Sequence, residues 1–267
     1  QDTAMILYTS GTTGKPKGAM LAHCNLIHSA MVYEACLELT GKDRSIAAVP
    51  LAHVTGIAAN IMAMARCAGA LIIVPEFKAA EYLKIASRER ATQTVMVPAM
   101  YNLCLLQADF DSYDLSAWRV GGYGGAPMPT ATIQKLAEKI PGLKLVNAYG
   151  STETSSPSTI MPPQFTASHS DSVGLPCPGA HIIVVDSAGR ELPRGEIGVK
   201  LGRRAAFREA ADRSANVFRN RGHRGEAFGQ GAEIEPGAAD ENRGAFPDLG
   251  EDFPRAARPA SHGKVDG

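Results

Sequence analysis

With 267 residues, the chain is long enough to bury a sizeable core, as one large domain or two modest ones. Its 27 basic and 27 acidic side chains give a formal charge of zero, which offers no electrostatic argument for a nucleic-acid or anionic-membrane partner. Five widely spaced cysteines without a CxxC pair indicate reduced thiols in a cytoplasmic protein and argue against a disulfide framework or a metal site.

The first apolar run begins almost at once, with no leader peptide before it, and no apolar run is long enough to span a bilayer. This abrupt start predicts that the chain begins inside a larger fold. From here to about residue 200, short apolar runs alternate with helical patterns. The predicted strands cover residues 4–9, 45–49, 70–74, 94–97, 119–123, 144–148, 181–186 and 196–200. The predicted helices cover residues 22–39, 56–68, 79–90, 99–107 and 130–140.

Such alternation predicts an α/β fold with a largely parallel sheet flanked by helices. In sheets of this kind, ligands bind beyond the carboxyl ends of the strands. The segments that follow residues 9, 49, 123 and 148 occupy that position, so we expect the functional residues among them.

The chain is organised around the first of these segments, which reads Tyr8-Thr9-Ser10-Gly11-Thr12-Thr13-Gly14-Lys15-Pro16-Lys17-Gly18. Glycines let backbone N–H groups face a ligand, hydroxyls add donors, and lysines supply positive charge for phosphate oxygens. Together with the preceding strand and the helix predicted next, the loop would form a polyphosphate cradle; the alternative is a solvated turn. No Ser or Thr follows Gly14-Lys15, which distinguishes the loop from the Walker P-loop.

Two further segments lie between a predicted strand and a predicted helix. The first reads Pro50-Leu51-Ala52-His53-Val54-Thr55-Gly56, in which the histidine is either functional or a helix cap. The second reads Gly121-Gly122-Tyr123-Gly124-Gly125-Ala126-Pro127-Met128-Pro129. Its glycines permit the close approach of a flat or bulky ligand, or form a tight turn before the helix that Pro129 starts.

The segment after the strand at residues 144–148 reads Asn147-Ala148-Tyr149-Gly150-Ser151-Thr152-Glu153. An aromatic ring can stack on a purine, a hydroxyl can donate to a phosphate, and a carboxylate can bind Mg²⁺. All three groups stand within residues 149–153. The alternative is a surface turn with an exposed glutamate.

These segments resemble the motifs of the adenylate-forming superfamily, which includes acyl- and aryl-CoA synthetases, luciferases and the adenylation domains of peptide synthetases. The loop at residues 8–18 matches the signature loop of that family over eleven consecutive positions. The proline-to-histidine stretch at residues 50–53 is similar to one in the acyl-CoA synthetase branch. The resemblance covers about residues 3–200 and implies the central part of the family's N-terminal α/β domain.

The resemblance implies a role for each matching residue. Lys17 and the loop would hold the β- and γ-phosphates of ATP, and His53 would gate between the phosphate and acyl sites. Tyr149 would stack on adenine, Thr152 would contact the α-phosphate, and Glu153 would bind Mg²⁺. The other residues expected to contact nucleotide are Thr9, Ser10, Gly11, Thr12, Thr13, Gly14, Gly124, Gly125, Ala126, Pro127, Asn147, Ala148 and Gly150.

The predicted organisation has three parts. Residues 1–170 would form the α/β core, and residues 171–202 would start a β-rich subdomain, entered through the connector at residues 172–179 and turning at residues 186–189. Residues 203–267 would be an irregular or disordered tail, because they hold ten of the 17 arginines, one of the ten lysines and no sustained periodicity. The family's Thr-Gly-Asp motif and Arg/Lys hinge are missing from this tail. One hypothesis is that it is out of reading frame.

The resemblance implies ATP, Mg²⁺ and CoA as ligands and a small fatty or aryl carboxylic acid as substrate. The leading hypothesis is an acyl-CoA synthetase that forms an acyl-adenylate and then a thioester with CoA, with weak or no turnover in this chain. A second hypothesis is a nucleotide-binding remnant without catalysis. A third, an unrelated phosphotransferase, is disfavoured by the missing Walker pattern.

Overall fold

The computed structural model describes residues 2–9, 16–186, 189–193 and 198–204, and for residues 199–204 it describes the backbone only. The strands are β1 (Thr3–Thr9), β2 (Lys17–Ala22), β3 (Arg44–Ala47), β4 (Ala70–Ile73), β5 (Gln93–Met96), β6 (Val120–Tyr123), β7 (Lys144–Tyr149), β8 (Thr159–Ile160), β9 (Leu175–Pro176), β10 (Ala180–Val185) and β11 (Val199–Arg204). The helices are α1 (His23–Cys36), α2 (Ala63–Cys67), α3 (Ala79–Arg88), α4 (Pro98–Leu105) and α5 (Thr130–Lys139).

A seven-stranded sheet in the order β4-β3-β5-β6-β7-β8-β9 forms the centre of the protein. The five strands from β4 to β7 in this order are parallel, whereas β8 and β9 join as antiparallel strands. Every residue of β5 and β6 is buried, as expected for strands covered on both faces. The predicted α/β class with a largely parallel sheet is therefore confirmed.

Helices cover both faces of this sheet. On one face α3, α4 and α5 pack around a cluster that includes Tyr82, Tyr101 and Trp118. On the other face α1 and α2 pack against Val95 and Val146, because neighbouring residues in a strand point to opposite sides. No helix within the described ranges is both long and apolar enough to cross a membrane.

The helix predicted over residues 56–68 begins as a π-helical segment, Gly56–Met62, and continues into α2. Over two turns, apolar spacing does not distinguish the wider π winding from an α-helix. The other predicted helices agree with α1, α3, α4 and α5 to within three residues at either end.

The prediction that the loop at residues 8–18 leads directly from a strand into a helix was wrong, because a second strand lies between the loop and the helix. Residues 17–22 form β2, which pairs with β1 as an antiparallel hairpin separate from the seven-stranded sheet. The loop therefore lies at the tip of a hairpin and not beyond the carboxyl end of a parallel strand. The strand was missed because Gly18, Ala19, Met20, Leu21 and Ala22 are all small or apolar, so the sequence shows no alternation although alternate side chains are buried.

At the amino edge of the parallel strands, one buried carboxylate joins several elements. The Arg119 guanidinium donates from Nε to Asp43 Oδ1 at 3.0 Å and pairs with Oδ2 at 2.8 Å. The Thr92 hydroxyl donates to Oδ1 at 2.7 Å, and the Thr40 N–H donates to Oδ2 at 2.7 Å. Burial raises the pKa of Asp43, but these hydrogen bonds outweigh burial and hold that pKa below its ordinary value. These contacts of Asp43 stabilise the sheet at the edge opposite the carboxyl ends of its strands.

After the connector, β10 pairs with β11 in a second two-stranded antiparallel sheet. β11 starts three residues later than predicted and extends to Arg204, two residues into the segment expected to be irregular. The predicted hairpin turn falls partly on residues 187 and 188, and the predicted strand partly on residues 196 and 197, all outside the described residues. Residues 205–267 of the predicted tail also lie outside them.

Candidate active site

The hydroxyl-rich loop connects Thr9, the last residue of β1, with Lys17, the first residue of β2. These two residues are paired across the hairpin. The Thr9 hydroxyl lies 3.4 Å from the carbonyl oxygen of Lys17, and the Lys17 residue is exposed. The loop residues Ser10, Gly11, Thr12, Thr13 and Gly14 lie outside the described residues, so their part in the predicted phosphate site stays a prediction.

Glu153 lies beside the base of this loop. The Thr9 hydroxyl is 3.4 Å from Glu153 Oε1, across 144 residues of sequence. Glu153 stands in a single 3₁₀ turn, Thr152–Thr154, just after β7, and both it and Thr152 are half-buried. The two segments singled out in the sequence therefore meet in the folded protein.

The 3₁₀ turn has its own local support. Ser151 precedes it and forms a capping box with Thr154, whose hydroxyl accepts from the Ser151 N–H at 3.0 Å. The turn also contacts β2 of the hairpin. Tyr149, at the end of β7, has 42% of its surface exposed.

The glycine-rich turn lies next to this segment because β6 and β7 are parallel neighbours. A Cβ at Gly124 would lie 2.4 Å from the carbonyl oxygen of Ala148, so only glycine lets the two backbones come this close. Gly125 has a φ of +80°, and Ala126 and Pro127 are exposed. The turn and the residues around Gly150 thus border one surface at the carboxyl ends of two strands.

Asn147 is buried, whereas Tyr149 and Gly150 of the same segment are exposed. It is 6% exposed, and its Nδ2 donates to the Ser172 carbonyl at 3.1 Å. This contact ties β7 to the connector. A nucleotide contact by the Asn147 side chain stays a prediction.

His53 is exposed and lies where the helical backbone begins at Val54. Its Nδ1 is 3.2 Å from the Thr55 N–H and 3.2 Å from the Thr55 hydroxyl. An acceptor at this position satisfies a free N–H of the first helical turn, which is the capping alternative that the sequence left open. Val54 and Ile57 pack against the inner face of the hairpin, so this segment also borders β1 and β2.

Sequence reasoning missed two side chains on α1. Ser29 Oγ donates to the Ser155 carbonyl at 2.6 Å, and the Tyr33 hydroxyl is 3.1 Å from Ser156 Oγ. Both contacts are buried and lie just after the turn that carries Glu153. The available signal was a pair of hydroxyls one helical turn apart in the helix that follows the loop.

The donor set is compatible with Mg²⁺. Within the described residues, no three His, Cys, Asp or Glu side chains cluster as metal ligands. Mg²⁺ in nucleotide sites is typically bound by one or two carboxylates together with substrate phosphates and water. The half-buried carboxylate of Glu153, which lies beside Thr9, fits that pattern as a ligand that Mg²⁺ would use.

The fold places the chain in the α/β class, and its sequence places it in a family. The sequence profile of the AMP-binding enzymes matches residues 1–201 of the 267. The chain belongs to the AMP-binding enzyme family.

Named relatives and solved structures agree with this assignment. The chain is 34% identical over 204 residues to the indoleacetate–CoA ligase of Aromatoleum aromaticum, covering 76% of this chain and 39% of the ligase. It is 38% identical over 159 residues to the human mitochondrial medium-chain acyl-CoA ligase ACSF2, covering 58% of this chain and 26% of the ligase. The structure superposes on O-succinylbenzoate coenzyme A synthetase (MenE) from Bacillus subtilis, solved with ATP and magnesium ion, with a TM-score of 0.69 and 27% identity over 76% of this chain and 42% of that one. The chain thus spans less than half the length of each of these proteins.

Proposed function

We propose that the chain is the nucleotide-binding part of an AMP-forming acid–thiol ligase. In this reaction a substrate carboxylate attacks the α-phosphorus of ATP and pyrophosphate leaves, which gives an acyl-adenylate. The thiol of CoA then attacks the acyl carbon and AMP leaves. No protein nucleophile is required, so the protein acts through position and charge.

The described residues are assigned as follows in this proposal. The ammonium group of Lys17 pairs with the β- and γ-phosphate oxygens, while the Thr152 hydroxyl donates to the α-phosphate. Glu153 binds Mg²⁺, which supplies positive charge against the phosphate oxygens. The Tyr149 ring stacks on adenine beside the glycine-rich turn.

One observation carries the proposal: the contact between Thr9 and Glu153 places a carboxylate next to the base of a loop rich in hydroxyls and lysines. Neither segment forms a polyphosphate site by itself. In this proposal the two segments together supply the cationic, hydroxyl and metal-binding groups.

For the acid, we propose the fatty and aryl classes. The relatives named above include a ligase for an aryl acetate and one for medium-chain acyl groups. Both classes carry an apolar group on a carboxylate, and the chemistry at phosphorus is the same for each. A cytoplasmic location also stays a prediction.

The test uses the 267-residue protein and two measurements. Binding of ATP with Mg²⁺ is measured by calorimetry, and carboxylate-dependent exchange between ATP and pyrophosphate is measured with octanoate, benzoate and indoleacetate. Binding with exchange supports the ligase. Binding without exchange favours the non-catalytic remnant, and no binding overturns both.

A matched pair of variants makes this test specific. Glu153→Gln removes the proposed metal ligand, and we expect it to weaken Mg·ATP binding by about 10-fold or more. Glu81→Gln removes an exposed carboxylate on α3 and should leave binding unchanged. Equal effects of the two substitutions would contradict the role of Glu153.

A further inference from the structure

Helix α1 is joined directly to the hairpin that carries the phosphate loop. β2 ends at Ala22, and α1 begins at His23, with no intervening residue. The inner face of the hairpin packs against Leu26 of the same helix. The position of α1 is therefore fixed relative to Thr9 and Lys17.

The buried face of α1 extends from the hairpin to the segment that follows Glu153. Ser29 and Tyr33 stand one helical turn apart on this face, and they are 0% and 1% exposed. Ser29 Oγ donates to the Ser155 carbonyl at 2.6 Å, and the Tyr33 hydroxyl is 3.1 Å from Ser156 Oγ. Both hydrogen bonds are buried, where they are stronger than in water.

The residues held by α1 have an unusual backbone. Ser155 has a φ of +57° and Ser156 a φ of +33°, in the left-handed region that residues other than glycine rarely adopt. Such conformations persist where surrounding contacts hold them. These two residues directly follow the turn at Thr152–Thr154, so the contacts with α1 fix the backbone next to Glu153.

We propose that Ser29 and Tyr33 are positioning residues for the candidate Mg·ATP site. They hold the turn that carries Thr152 and Glu153 at a set distance from Thr9 and Lys17, because α1 contacts both the hairpin and the segment after the turn. The Thr9–Glu153 contact joins the hairpin to this turn a second time. The inference rests on the proposed function, since it concerns the same site.

The test compares Tyr33→Phe and Ser29→Ala with the wild-type 267-residue chain. ATP affinity is measured by calorimetry, once with Mg²⁺ and once with EDTA. We expect each variant to lose roughly 10-fold in affinity with Mg²⁺, as for other side chains that orient a metal ligand. The loss with EDTA should be clearly smaller, because only the proposed contact between Thr152 and the α-phosphate is then affected. A purely structural defect would weaken both affinities to the same extent. Ser29→Thr keeps a hydroxyl and should restore most of the affinity.

A matched control is available in Tyr82→Phe. Tyr82 is 1% exposed and lies in the cluster on the other face of the sheet. The substitution removes the same group from an equally buried position that does not touch the turn. We expect its Mg·ATP affinity to stay within about 2-fold of the wild type, which is within the scatter of distant, independent substitutions.

Hydrogen–deuterium exchange of residues 151–158 gives a readout that does not depend on nucleotide. We expect faster exchange there in Tyr33→Phe and Ser29→Ala and unchanged exchange in Tyr82→Phe. Unchanged exchange in both α1 variants, or wild-type affinity for Mg·ATP in both, overturns the positioning role and leaves the proposed function standing. If the wild-type chain binds no Mg·ATP, the proposed function fails and this role fails with it.

Discussion

The Thr9 hydroxyl lies 3.4 Å from Glu153 Oε1, although 144 residues separate the two in sequence. This contact joins the tip of a two-stranded hairpin to a turn at the carboxyl end of the parallel sheet. The two strands of the hairpin do not pair with strands of the seven-stranded sheet. Side-chain contacts and packing therefore hold the candidate site together.

The first prediction concerns this contact. Thr9→Val keeps the shape of the side chain but removes the hydroxyl that faces Glu153. We expect about a 5-fold loss of Mg·ATP affinity, close to 1 kcal/mol, because a hydrogen bond of 3.4 Å is long for a bond to a carboxylate. Thr3→Val at the other end of β1 is the control, since Thr3 is an exposed threonine of the same strand. Calorimetry that finds equal affinities for the two variants would count against the contact.

The second prediction concerns the close approach of β6 and β7. Gly124→Ala would place a Cβ 2.4 Å from the Ala148 carbonyl, and a backbone atom cannot move away without separating the strands. We expect a loss of about 1–3 kcal/mol in unfolding free energy, measured in urea, together with weaker Mg·ATP binding.

Gly142→Ala is the control for that variant. Gly142 has a φ of +93° and open space around it, so alanine there strains the backbone without touching the site. We expect a loss of about 1 kcal/mol in stability and unchanged nucleotide affinity. If Gly142→Ala weakened binding as much as Gly124→Ala, loss of stability and not local geometry would explain both.

The third prediction concerns pH. Burial raises the pKa of Asp43, but the hydrogen bonds from Arg119, Thr92 and Thr40 hold it below the ordinary value of 3.8. A carboxylate whose pKa is depressed by folding stabilises the protein above its unfolded-state pKa and loses that contribution as the pH falls through the folded-state pKa. We therefore expect Asp43→Asn to lower the unfolding free energy by about 2–3 kcal/mol at pH 7. This loss is smaller than for a fully buried pair because the Arg119 side chain is one-third exposed. The loss should become progressively smaller below about pH 4.

Urea denaturation of wild type and Asp43→Asn between pH 3 and pH 7 measures this difference. Asp114→Asn is the control, because the Arg90–Asp114 pair is 3.3 Å long and both side chains are more than half exposed. We expect that substitution to change stability far less than Asp43→Asn does at each of these pH values, because solvent screens an exposed pair. If the difference in unfolding free energy between wild type and Asp43→Asn stayed constant from pH 3 to pH 7, Asp43 would stabilise the protein without its charge.

The fourth prediction concerns Gln93 in β5. This residue is 0% exposed, and neither Nε2 nor Oε1 of its side chain has a hydrogen-bond partner in the described part of the chain. Burying polar atoms without partners is unfavourable, so Gln93→Met should raise the unfolding free energy by about 1–2 kcal/mol in urea. Thr94→Val, at the next position, removes a hydroxyl that donates to the Ile46 carbonyl at 2.9 Å and should lower stability by about 1 kcal/mol. Lower stability of Gln93→Met would instead indicate an ordered water on this side chain.

Local pattern was sufficient for most elements of the fold. The predicted helices over residues 79–90 and 130–140 agree with α3 and α5, and the predicted strand over residues 144–148 agrees with β7, because apolar spacing reports which face an element buries. The same pattern failed at β2, whose residues are uniformly small or apolar and whose strand conformation depends on pairing with β1.

For the candidate site, too, some features follow from the sequence and others only from the tertiary structure. The sequence by itself determined which chemical groups are present: hydroxyls and lysines in one loop, and a tyrosine, a threonine and a glutamate in another segment. Tertiary structure alone decided that Thr9 meets Glu153, that Asn147 contacts the connector, and that Ser29 and Tyr33 contact Ser155 and Ser156. The physical reason is that side-chain chemistry is a property of each residue. Contacts between residues that are distant in sequence depend on how the sheet, the hairpin, the connector and α1 pack together.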